Sequence, residues 1–430
     1  MRTYPVSSKY EGESGMGNPA NGATVTGRYG ALDGLRAVAI LWVIMHNVGS
    51  VDDGPTGLAL KIWTLVSNAG WVGVQLFFAL SGFLITRILL DAKGGAGWIR
   101  SFYARRFLRI VPLYFAFLFL MLLVAPRIPV LSGLVAPGHR TTLWFWLYMS
   151  NWIAPFGGLT AYMPHVWSLA VEEQFYLAWP LVIALLNERG IVRVCIAMTL
   201  SSLVARGLLH ATMPLHAGSD AAYEFTIARW DTIALGALVA LAVRDVEMER
   251  FFRRHLLLIL GSICGALLAA TAVQRGLPAR GLFTEMVNQP LTGMFSAFLV
   301  FTCVARGSPS EGGARLQAIV TRTLSANWLA IIGKYSYAIY LFHSPIHRVL
   351  QPYARQLLAE GGANERFVSI VAYCGVVLAL SFGFALISWR LIEAPFLSLK
   401  SRFPMPAFPA KVDSAALRRP RPSRHANAAI

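Results

Sequence analysis

The stretch GWVGVQLFFALSGFLITRILL, residues 70–90, decides the fold class. It runs for 21 residues with one charge, Arg87, close to its end. About 20 apolar residues are what an α-helix needs to cross the hydrocarbon of a bilayer. Similar runs lie near 33–50, 110–126, 142–157, 166–186, 191–209, 226–243, 255–273, 288–305, 328–347 and 367–389, making eleven candidates. Of the 430 residues 56% are hydrophobic and 14% charged, against about 25% charged in a soluble domain. Such a composition excludes a secreted disulfide scaffold, a disordered tail protein and most soluble enzymes. The expectation is an all-α polytopic membrane protein.

The net charge of +17 would suggest nucleic acid in a soluble protein. Here the basic residues sit between apolar runs, which is the pattern of cytoplasmic loops in a membrane protein, and no nucleic-acid partner is expected. Arg100, Arg105, Arg106 and Arg109 mark one such loop, Arg244, Arg250, Arg253 and Arg254 a second, and Arg306, Arg315 and Arg322 a third. Eleven crossings would put the loop after 243 outside, against its four arginines. Ten crossings restore parity if 142–157, short and polar at Ser150 and Asn151, is a re-entrant or interfacial outer segment. Both termini then face the cytoplasm. Residues 1–30 read as a disordered tail without a cleavable signal, 31–398 as one membrane domain, and 399–430 as a disordered basic tail. Cys195, Cys264, Cys303 and Cys374 form no CxxC pair, and read as small buried hydrophobes rather than metal ligands.

Ionisable groups at membrane depth cost about 2.5–3.5 kcal/mol each on insertion scales and call for a reason. In the first run Arg36 precedes His46 by ten residues, about 15 Å along a helix. His46 reads as a base or as a hydrogen-bonded packing residue. In HVWSLAVEEQFYLAWP, residues 165–180, Ser168, Glu172 and Tyr176 share one helical face. The paired acids Glu172 and Glu173 could equally be the exposed first turn of a helix. His343 falls toward the outer side of the tenth run. Arg229 and Asp231 read as a pair, structural or functional. Arg105, Arg106 and Arg109 suit phosphate, or a basic belt against anionic lipid. Trp144, Trp146, Trp152 and Trp167 suit sugar faces or an interfacial aromatic belt.

Seven motifs in order, LDGLR with a following His, GVQLFFALSGFLIT, FYARRFLRIVPLY, HVWSLAVEEQFYLAWP, RWDTIALGALVAL, GKYSYAIYLFHSP and WRLIEAPF, spread from residue 32 to 396. Together they resemble the acyltransferase 3 family of integral-membrane O-acyltransferases. The resemblance implies a ten-helix bacterial inner-membrane enzyme. Such an enzyme would move an acyl group, expected to be acetyl, from cytoplasmic acyl-CoA to a hydroxyl of a surface or exported carbohydrate or glycolipid. It maps the family's functional residues onto Arg36, His46, Arg106 and Arg109, and matches Glu172 to the first acid of the WSLxVE pattern. In the family the His usually stands one position later, where this chain has Asn47. Either the first helix carries a local irregularity or His46 arrives from a shifted angle. With about 35 residues after 396, no fused extracytoplasmic esterase-like domain is expected.

The chemistry expected is base catalysis by His46, with Glu172 orienting the imidazole. Arg36, Arg105, Arg106 and Arg109 would hold the CoA phosphates. Asn151, Trp167, His343, Arg229 and Asp231 would meet the acceptor, with Asn151, Ser81 or His343 as oxyanion donors. No metal is expected, and membrane lipid is the surrounding partner. The rival class is a proton-coupled transporter, against which no two halves with matching broken helices are visible.

Overall fold

The computed structural model describes residues 19–49, 57–129, 131, 142–153, 163–306, 313–359 and 362–406. Ten long helices dominate it: α1 (Pro19–Val48), α2 (Val72–Ala92), α3 (Trp98–Leu118), α4 (Trp167–Leu185), α5 (Glu188–Thr212), α6 (Thr226–Ala242), α7 (Leu256–Gln274), α8 (Gln289–Val304), α9 (Asn327–Ala359) and α10 (Ala363–Ser388). No strand occurs among the described residues. Eight helical segments, those containing α1, α2, α3, α5, α6, α7, α8 and α10, are long and apolar enough to cross a membrane. α4 and α9, of 19 and 33 residues, add the length with more polar faces. The fold is the expected all-α polytopic membrane protein.

The run at 142–157 forms no long helix among its described residues. Thr142–Trp146 is one short turn of helix, and Ser150–Trp152 a 3₁₀ turn. The expected tail boundaries shift. α1 begins at Pro19, inside the predicted N-terminal tail, and a 3₁₀ turn occupies Leu399–Arg402. Residues 1–18 and 407–430 lie outside the described residues. Short helices at Leu58–Asn68, Leu215–Glu224, Val246–Arg254 and Ala314–Leu324 join the long ones. Leu58–Asn68 and most of Leu215–Glu224 run into the apolar segments of α2 and α6, while Val246–Arg254 and Ala314–Leu324 lie outside the eight apolar segments. Cys195, Cys303 and Cys374 are buried as expected, while Cys264 is exposed on α7.

At the centre α2 packs on α6 and α8, and α1 packs on both α2 and α9. Lipid tails are as apolar as leucine, so helices in a bilayer associate where small residues let backbones meet. The α2–α6 crossing shows this on both partners. A Cβ on Gly82 would stand 1.9 Å from the Ile233 carbonyl oxygen, and one on Gly236 would stand 2.1 Å from that of Ala79. Gly236→Val therefore forces backbone from backbone. Its expected cost lies at or above the top of the about 1–3 kcal/mol usual for overpacking. Thermal unfolding in detergent measures this; an unchanged Tm contradicts the crossing.

Two helices extend past the apolar runs that announced them, and both extensions build the site. α3 starts at Trp98, so Arg105, Arg106 and Arg109 ride on it rather than in a loop. α9 continues to Ala359, about 50 Å in all, and carries His347, Arg348 and Gln351 beyond its apolar stretch. Prolines inside α3, α4 and α9 are of the kind that neighbouring helices make tolerable at membrane depth.

Candidate active site

α1 is α-helical without interruption from Pro19 to Val48. That removes the local irregularity and leaves the shifted angle. Ten residues at 100° place His46 about 80° around the axis from Arg36, and eleven place Asn47 within about 20°. The two neighbours accordingly do different things. Asn47 Nδ2 donates to His343 Nε2 at 3.0 Å. His46 turns toward the segment before α2, where its Nδ1 lies 3.0 Å from the carbonyl oxygen of Ser67. Gly70 permits that approach: a Cβ there would sit 2.3 Å from the Trp42 carbonyl oxygen and 2.7 Å from His46 Cβ.

A backbone carbonyl only accepts hydrogen bonds, so the contact assigns the proton of a neutral His46 to Nδ1 and leaves Nε2 as the acceptor. His343 has the same tautomer, because its Nδ1 lies 2.6 Å from the Tyr340 carbonyl. Its Nε2 is already engaged by Asn47 and the residue is fully buried. Of the two expected histidines, His46 alone has its ring acceptor uncommitted and lines a cavity.

That cavity has a volume of about 840 Å³, within the range of about 300–1,000 Å³ usual for small-molecule sites. His46, Trp71, Trp167, Glu224, Arg280 and Gln351 are among its walls. A second, smaller cavity of about 100 Å³ is lined by Arg36, Arg106, Arg109, Ser81, Glu172 and Tyr176. The two share Val74 and Tyr340 as lining residues. Arg36 and His46 thus open α1 onto one cavity each, about 15 Å apart along the helix.

The arginine cavity is held by a compact network. Arg36 pairs with Asp33 at 2.5 Å. Arg106 lies over the Tyr176 ring, 3.7 Å from its centroid. Ser81 Oγ donates to Glu172 Oε1 at 3.0 Å, and the Tyr176 hydroxyl lies 3.0 Å from Oε2 and 2.7 Å from Ser81 Oγ. Three guanidiniums meeting one cavity concentrate positive charge where an anionic group can enter. The helical face of Glu172 and Tyr176 is as expected; the partner is not. Both Glu172 oxygens are taken by Ser81 and Tyr176, and the carbonyl of Ser67 stands where Glu172 was expected beside His46.

Other expected residues also move. Arg105 donates to the Phe403 carbonyl at 3.2 Å and does not line the arginine cavity. Asn151 is fully buried and spent on bracing: it donates to Thr226 Oγ1 at 2.8 Å and to the Glu224 carbonyl at 3.3 Å, and accepts from Gln174 at 2.9 Å. Asp231 pairs with Arg206 at 2.5 Å, not with Arg229. Arg229 is fully buried among Phe78, Trp167 and Tyr223, 5.0–5.7 Å from their ring centroids. Neither Arg229 nor Asp231 lines either cavity. Trp167 does, as expected, while Trp146 stacks on Phe115 and the Trp152 indole donates to Thr226.

Sequence reasoning missed Ser67, Trp71, Tyr340, Glu224 and Arg280. Trp71 is visible within GWVG, whose glycines mark a close approach. Ser67 acts through its backbone, which has no residue-type signature. Glu224 ends the short helix Leu215–Glu224 and Arg280 lies in the connection after α7, both outside the apolar runs read from the sequence.

The bundle of membrane-length helices brings Arg36 of α1 together with Arg106 and Arg109 of α3 at one cavity and sets His46 of α1 in the wall of another. The family model described as an acyltransferase domain matches residues 29–386, and the chain belongs to this acyltransferase 3 family. It is similar to the O-acetyltransferase OatA of Staphylococcus aureus strain NCTC 8325, 27% identical over 378 residues that cover 85% of this chain and 56% of the relative. OatA of Staphylococcus aureus strain COL shows the same identity and coverage. The chain thus spans about half the length of the curated relatives it matches. No solved structure matches it significantly.

Proposed function

We propose that this chain is an O-acyltransferase domain of a bacterial inner membrane, with both termini cytoplasmic. It moves an acyl group, acetyl in the simplest case, from cytoplasmic acyl-CoA to a hydroxyl of a cell-surface or exported carbohydrate. The observation that carries this reading is the pairing of two cavities along α1. Arg36, Arg106 and Arg109 line one, and His46, with Nε2 uncommitted, lines the other. The name of the relatives, O-acetyltransferase, supports the reaction class.

A sugar hydroxyl is a poor nucleophile at neutral pH and needs a base. In this mechanism His46 Nε2 removes its proton as the hydroxyl oxygen attacks the thioester carbonyl. The Ser67 carbonyl holds Nδ1–H and steadies the imidazolium that forms, the role a third group plays in nucleophilic triads. The tetrahedral intermediate then expels the CoA thiolate, and the imidazolium proton neutralises it. Guanidiniums grip the phosphates of the donor, since their fork matches phosphate oxygens. The pantetheine arm covers the distance from Arg36 to His46. Of the three expected oxyanion donors Ser81 alone lines either cavity, the arginine one, and its single hydroxyl proton is given to Glu172.

The purified chain, incubated with labelled acetyl-CoA, tests this reading. Arg106→Ala or Arg109→Ala is expected to raise the KM for acetyl-CoA about tenfold to a hundredfold, the worth of one charge-assisted hydrogen bond, with a small effect on kcat. Unchanged KM in both variants removes the phosphate clamp. Loss of an ester from surface glycans, measured by mass spectrometry in cells lacking the protein, tests the acceptor class. Movement of an unmodified solute without acetyl-CoA turnover would instead favour a transporter.

A further inference from the structure

Glu224 ends the short helix Leu215–Glu224 and is only 2% exposed, yet it lines the His46 cavity. Its Oε1 has a loose ion pair with Arg280, 3.5 Å away. Its Oε2 is buried and has no hydrogen-bond partner among the described residues. A buried carboxylate oxygen without a donor is costly, and the residue that carries this one stands in the wall of the His46 cavity. The surroundings hold it in place. Asn151 grips the Glu224 carbonyl. Arg280 is tied to Asp220 at 2.9 Å and lies over the Tyr223 ring.

The rest of the wall says what fits. Arg280 and Arg348 oppose a cationic ligand, and the Glu224 carboxylate opposes an anionic one. A neutral ligand rich in hydroxyls suits both signs. It donates to Glu224 Oε2 and accepts from the guanidiniums, while Gln351 can do either. Trp71 and Trp167 add flat apolar surface, and Trp71 is fixed by its indole bond to the Leu277 carbonyl at 3.2 Å. We infer that the His46 cavity is the binding site of a neutral polyhydroxylated acceptor, and that Glu224 accepts a hydrogen bond from one acceptor hydroxyl and so selects which other hydroxyl meets His46. The second half of this inference rests on the acyltransferase reading; the binding itself does not.

The test is calorimetric titration of the full chain in detergent with three probes of equal length: a neutral N-acetylglucosamine trimer, its cationic de-acetylated form, and an anionic galacturonate trimer. The neutral trimer is expected to bind most tightly. Glu224→Ala is expected to weaken it about tenfold to a hundredfold, the loss of a hydrogen bond to a charged group. Glu224→Gln is expected to weaken it less, because the amide oxygen still accepts, and it guards against a fold defect in the alanine variant. Preference for a charged trimer, equal affinity in wild type and both variants, or no binding of any probe overturns the inference. Acetyl-CoA binding without saccharide is measured in parallel. Acetyl-CoA binding with no saccharide binding overturns this inference alone. Saccharide binding with no acetyl-CoA binding overturns the donor reading and leaves the acceptor site standing.

Discussion

His46→Ala is expected to lower kcat/KM for acyl transfer by about two to four orders of magnitude, the usual contribution of a positioned general base. At 1.36 kcal/mol per factor of ten this is about 3–5 kcal/mol of transition-state stabilisation. Affinity for acetyl-CoA should change little, because the guanidiniums line the other cavity. His46 is half-buried, and its truncation removes one bond to a backbone carbonyl, so insertion and folding should survive. A sharper form exchanges the pair, His46→Asn with Asn47→His. That restores the family's usual spacing, but on an uninterrupted α1 it turns the imidazole toward His343 and away from Ser67. The exchange is expected to stay as inactive as the alanine variant. Wild-type turnover in either variant removes His46 as the base.

Asp231→Ala is expected to destabilise the fold by about 3–5 kcal/mol, because it strands a buried guanidinium. Arg206 is fully buried on α5. Its Nε donates to the Ala228 carbonyl at 2.8 Å, one terminal nitrogen to that of Glu285 at 3.1 Å, and the other to Asp231 at 2.5 Å. Asp231 in turn accepts from the Thr232 amide at 2.8 Å. The pair ties α5 to α6, which pack side by side. Removing both charges together, Arg206→Met with Asp231→Leu, should cost far less than either single change. Arg229→Met supplies the contrast. The Arg229 nitrogens have no hydrogen-bond partner among the described residues, so its loss should be tolerated where Asp231→Ala is not. Thermal unfolding in detergent ranks the four proteins; equal damage from Arg229→Met and Asp231→Ala would restore the pairing expected from sequence.

The Arg–Asp mismatch shows where legibility stops. Arg229 and Asp231 are two residues apart, and such neighbours on a helix face away from each other. The partner that neutralises Asp231 comes from α5, 25 positions earlier. Glu172 departs from expectation in the same way. Its face of α4 is legible in the spacing, but the helix packs that face against α2, where Ser81 waits, rather than against the His46 turn.

What the chain alone determined is whatever depends on neighbours within one helix or on the solvent around it. The bilayer demands about 20 apolar residues per crossing, so the spans are readable. The three-residue spacing of Arg106 and Arg109 by itself puts both on one helical face, and both line the arginine cavity. The tertiary structure decided which face meets which. Inside a membrane no difference in hydrophobicity steers one helix face toward another, and close contact depends on small residues such as Gly70, Gly82 and Gly236. Those contacts brought a backbone carbonyl to His46 and gave Asp231 to Arg206. Tertiary packing also set Glu224 in the cavity wall, and none of the three is encoded in local spacing.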